Sequence, residues 1–82
     1  MKYVKKPIPI EAIQIKRDNI PELIKFSHGD FEYIDGSSYC MVNTLEGTMR
    51  CHFGDYLVKG IHGEFYACKK EVFEESYELV EE

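Results

Sequence analysis

The sequence predicts an α+β fold: a single twisted antiparallel sheet of five to six short strands, able to curl into a partly open barrel, with two short helices over it. Three observations predict it. A helical period appears near each end of the chain, after residue 18 and after residue 69. Between them, aromatic and branched residues alternate with polar ones in short runs cut by Gly and Asp turn residues. The order is strand, helix, a run of strands, helix, which segregates the helices as α+β folds do.

Residues 4–16 form the first strand candidate. Ile8, Ile10 and Ala12 share one parity and Ile13 and Ile15 the other, so a bulge or a sheet buried on both faces is expected near Ala12. Pro7 and Pro9 cannot donate to a ladder and confine this half to an edge. Asn19 is the expected N-cap of the first helix, with Glu22 completing a capping box and Pro21 in the first turn. Ile20, Leu23 and Ile24 share its apolar face, Phe26 extends it, and Gly29 ends it.

Residues 31–34 read as a short strand before the turn dipeptide Asp35-Gly36. Residues 38–45 and 48–53 read as a hairpin closed at Glu46-Gly47, with Met49, Cys51 and Phe53 on one face and Arg50 and His52 on the other. Residues 56–58 and 64–68 form a second hairpin through the loop Lys59-Gly60-Ile61-His62-Gly63. The second helix spans residues 69–76 with Val72, Phe73 and Ser76 inward, and Tyr77, Leu79 and Val80 suggest a last short strand.

The chain is read as one domain, residues 1–82. Its 44% hydrophobic and 13% aromatic content excludes disorder. No apolar run approaches the ~20 residues of a membrane span. Pro7, Pro9, Glu11 and Gln14 interrupt the first apolar stretch, which therefore does not read as a signal peptide. Three cysteines, Cys40, Cys51 and Cys68, cannot all pair within one chain, so free thiols in a bacterial cytoplasm are expected. A net charge of −5 argues against a phosphate-backbone binder, and no nucleic-acid or membrane partner is expected. Charge is uneven: Lys2, Lys5 and Lys6 stand at one end, and Glu71, Glu74, Glu75, Glu78, Glu81 and Glu82 at the other. The acidic end is read as solvated, or as attracted head to tail within the chain or between subunits.

Catalytic and metal signatures are sparse. His28, Cys40, Cys51, His52, His62 and Cys68 lack ligand spacing, and strand alternation sends Cys51 and His52 to opposite faces. No metal and no cofactor is expected. Cys68 with His62 is the one nucleophile pair to weigh, but a small apolar residue would serve equally in that strand position. The best contact site is the loop Lys59, Gly60, Ile61, His62, Gly63 and Glu64, whose glycines let backbone N–H groups approach an anion. Arg50, His52 and a tyrosine platform including Tyr66 complete the candidate set.

Residues 54–77, GDYLVKGIHGEFYACKKEVFEESY, also carry a resemblance. Gly54, Asp55, Tyr56, Val58, Lys59, Gly60, Gly63, Glu64, Phe65, Tyr66, Cys68, Phe73, Tyr77 and Glu78 match a family of small proteins encoded in phages and prophages of low-GC Gram-positive bacteria. Lys5-Lys6-Pro7-Ile8, Ile10-Glu11-Ala12 and residues 44–49 fit as well. Phe53 departs from a proline common before the Gly-Asp, and residues 67–70 lack a proline often found beside the cysteine. The resemblance implies a phage setting and no mechanism. With it, the sequence is read as a non-enzymatic, homo-oligomeric binding module. It would counter a host function by binding a host protein or sequestering a small nucleotide signal. The alternatives are a structural or accessory particle protein and a cysteine-dependent enzyme.

Overall fold

The computed structural model describes residues 1–80. Six strands and two helices follow in the order β1 (Glu11–Gln14), α1 (Ile20–Phe26), β2 (Phe31–Glu32), β3 (Tyr39–Thr44), β4 (Gly47–His52), β5 (Tyr56–Lys59), β6 (Phe65–Cys68) and α2 (Lys70–Ser76). The fold is α+β and every strand pair is antiparallel. The expected single sheet is instead two three-stranded sheets, β1-β5-β6 and β2-β3-β4, and no barrel closes. The reason lies at the β4–β5 turn. Gly54, at φ 101°, redirects the chain, and β5 emerges to pair with β1 on one side and β6 on the other. Both its edges are then occupied, so β4 has no place beside it.

The two sheets close on a common core. Ile15, Leu23, Phe31, Cys40, Val42, Cys51, Leu57 and Phe65 form it, with Ile13, Ile20, Phe26, Tyr33, Phe53 and Ala67 packed at its margin. Register explains the membership. Cys40 faces Cys51 across the β3–β4 ladder, and Leu57 sits between Ile13 and Ala67. The opposite face of β1-β5-β6 is covered too. Val58, between Ala12 and Tyr66 in register, is fully buried there, so the parity switch at Ala12 reflects a sheet buried on both faces.

α2 lies on this second face. Phe73 stacks on Tyr56 with ring centroids 4.0 Å apart and planes at 13°, and Tyr77 stacks on Phe73 at 4.8 Å. Phe73 faces the sheet, whereas Val72, expected inward, is 51% exposed. A helix of two turns cannot stand on propensity alone, so these rings hold it. No strand forms at residues 77–80, where Leu79 and Val80 are exposed, and the acidic Glu81 and Glu82 lie outside the described residues.

Further differences are local. β1 begins only at Glu11, because Pro7 and Pro9 leave the preceding segment without ladder donors. It runs instead as an arm, exposed from residue 1 to residue 9. Asn19 occupies the N-cap of α1 but makes no capping bond. Its amide donates to the Gln14 carbonyl and its oxygen accepts the Lys16 N–H, tying β1 to α1. Leu23 is the one fully buried residue of α1, and Ile24 turns outward. The strand after α1 shortens to Phe31–Glu32.

Candidate functional site

Three separate stretches meet beside the second face of β1-β5-β6: the N-terminal arm, the β5–β6 turn and the end of α2. They enclose an open cleft of about 520 Å³. Lys5, Lys6, Ile8 and Ile10 come from the arm, Gly60, Ile61 and Glu64 from the turn, and Tyr66 and Tyr77 from β6 and the segment after α2. Two cations, apolar walls and two phenol rings thus share one concavity, the composition of a small-ligand site.

The turn is built to hold its shape. Gly60 N–H donates to the Glu64 carbonyl at 2.7 Å and Gly63 N–H to the Gly60 carbonyl at 3.0 Å. Gly63 adopts φ 81°, which an L side chain rarely takes. Gly60 is required for a different reason: a Cβ there would run into the Glu64 carboxylate. That carboxylate folds back over the turn, and its Oε1 accepts the His62 N–H at 3.2 Å. Ile61, at the tip, is 61% exposed.

The opposite wall is aromatic. Phe73 occupies one face of Tyr77, and the Lys5 ammonium stands over the Tyr77 ring, 6.0 Å from its centre. The ladder Tyr56–Phe73–Tyr77 therefore ends at the cleft with a cation on its last ring. Burial, with the Tyr77 phenol beside it, pushes the Tyr66 phenol up to about 12 and keeps it a neutral hydroxyl. The basic arm and the C-terminal segment do meet, then, but through ammonium and ring. Among the described residues the one ion pair is His52 with Asp55, 3.9 Å apart.

Of the candidates drawn from the sequence, Gly60, Ile61, Glu64 and Tyr66 line the cleft. Lys59, His62 and Gly63 belong to the same hairpin but not to its lining. Arg50 and His52 stand elsewhere, on the outward face of β4: the Arg50 guanidinium covers Tyr39 at 4.1 Å, and His52 sits against Asp55. Lys5, Lys6, Ile8, Ile10 and Tyr77 were missed as site residues. Their only signal was the Lys-Lys-Pro-Ile run, whose prolines forbid a ladder and so free it to form a wall.

The thiols are placed for packing. Cys40 and Cys51 are buried, and burial raises both, Cys51 to about 12 with Cys40 adding to it. Cys68 is raised by burial and then by Asp55. Among the described residues no three His, Cys, Asp or Glu side chains cluster to hold a metal ion, and no helix is long and apolar enough to cross a membrane. A smaller groove of about 280 Å³ adjoins the cleft, lined by Thr44, Leu45, Glu46, Glu64, Phe65 and Tyr66. No family model matches the chain, and no curated protein or solved structure matches it significantly.

Proposed function

We propose that this protein is a non-enzymatic, phage-type binding module that sequesters a small nucleotide-like signal and so counters a host function. It would act in the bacterial cytoplasm, as a homo-oligomer. The observation that carries the reading is the end of the aromatic ladder. Tyr77, backed by Phe73, meets the cleft beneath the Lys5 ammonium, with Lys6 on the same arm. A planar base stacks on such a ring, and a phosphate draws the two ammonium groups. The pinned turn supports binding over turnover, since it offers a fixed wall and no base or nucleophile. A phage setting follows from the resemblance of residues 54–77. A thermal-shift screen of the full chain against cyclic and ADP-ribose-type nucleotides tests the reading. It predicts a concentration-dependent rise in Tm, and the absence of any shift rejects it.

A second reading, docking of a host protein, is supported by the outer face of β3-β4. There Arg50 lies over Tyr39, and residues of these two types often carry a large share of interface energy. Loss of capture from host lysate on Arg50→Ala, with no nucleotide shift, would favour it.

A further inference from the structure

Glu64 is the single acid lining a cleft that otherwise holds two lysines. For an anionic ligand alone this is a defect, because a fixed carboxylate repels phosphate. Yet the turn is shaped to keep it there. Gly60 leaves the space it fills, and His62 N–H holds its Oε1. The same side chain also lines the adjoining groove, so it stands at the junction of the two cavities. An ionised carboxylate only accepts hydrogen bonds, at about four lone-pair sites. The His62 contact uses one of them. What the remainder suits is a ligand with neighbouring hydroxyl donors.

We propose that Glu64 reads a ribose. The ligand is a ribonucleotide whose 2′- and 3′-hydroxyls both donate to the Glu64 carboxylate, whose phosphates face Lys5 and Lys6, and whose base extends the stack over Tyr77. This rests on the nucleotide reading above and narrows it from nucleotides in general to those with an intact vicinal diol. It also assigns Gly60 a task, which is to leave Glu64 its place.

Calorimetric titration of the full chain with AMP and with 2′-deoxy-AMP tests the inference. The wild type should bind AMP about tenfold or more tighter, as expected for a lost hydrogen bond to a charged acceptor. In Glu64→Ala, and independently in Gly60→Ala, the ratio between the two nucleotides should fall to about one. The ratio is internal to each variant, so a general loosening of the turn does not mimic the effect. Equal affinity of the wild type for both nucleotides would overturn the inference and leave the nucleotide reading standing, as would a ratio unchanged in Glu64→Ala. Binding of neither nucleotide would overturn both.

Discussion

The Asp55 carboxylate joins the β4–β5 turn to the start of α2: Oδ1 accepts the Lys70 N–H at 3.3 Å while Oδ2 accepts the His52 N–H at 3.0 Å. Lys70 is the first residue of α2, whose own N-cap, Lys69, supplies no side-chain bond. A residue 15 positions earlier therefore satisfies a helix N–H that would otherwise lack a partner. The helix in turn carries Phe73 and leads to Tyr77, so the aromatic wall of the cleft is anchored through Asp55.

Asp55→Ala should cost about 2 kcal/mol, the range for removing a charged acceptor from two backbone donors. Urea unfolding measures it. Asp55→Asn, which keeps one acceptor oxygen, should recover part of the loss. A cost for Asp55→Ala within the noise of the wild-type midpoint would show that α2 does not depend on this bond.

The thiols predict an alkaline limit to stability. Burial holds Cys51 protonated in the folded state up to about 12, against 9.0 when unfolded. A raised folded value means that the folded state binds the extra proton between these limits. Stability is therefore full below pH 9 and falls as pH rises toward 12, by about 1.4 kcal/mol per pH unit for one such group. Tyr66, also raised to about 12, adds to the fall above pH 10. Chemical unfolding from pH 8 to 11 should show the slope, and Cys51→Ala should lessen it by one group's share. An identical slope in that variant would contradict the burial account.

Much of this arrangement is legible in the residues. The Glu46-Gly47 hairpin, the inward Cys51 and outward Arg50 of β4, and the β5–β6 hairpin all follow from alternation of period two interrupted by turn residues. Asn19 misled in detail, because its amide found the Gln14 carbonyl, a partner five residues back, in place of the helix N–H. Two sheets were not legible, since alternation says which face a strand buries but not which strand lies beside it. The cleft needed that missing fact. Only once β1 returns beside β5 does the arm before it reach the β5–β6 turn and Tyr77.

The two turn glycines should separate by mechanism. Gly63→Ala forces a side chain into φ 81° and should destabilise by about 1 kcal/mol. Gly60→Ala meets no such backbone barrier and displaces the flexible Glu64 carboxylate, so its unfolding midpoint should move less. Paired denaturation curves check the order. A larger loss for Gly60→Ala would mean that the turn needs the Glu64 contact more than its backbone geometry.

Phe73→Ala removes the middle ring of the ladder. It should cost about 2 kcal/mol through lost burial and stacking. It should also weaken ligand binding, because Tyr77 loses its backing. Phe73→Leu should restore more of the stability than of the binding. Thermal melts with and without ADP-ribose read both effects, and equal recovery of the two would argue against a stacking role.

The most direct test of a ligand cleft between arm and hairpin is calorimetric titration of ADP-ribose into the wild type and the Lys5→Ala, Lys6→Ala double variant. The account predicts saturable binding by the wild type, about tenfold or more weaker binding by the variant, and a loss of affinity with added salt. The variant should unfold at the wild-type midpoint, since both lysines stand in the exposed arm. Unchanged affinity in the double variant, or no heat of binding by the wild type, would contradict it.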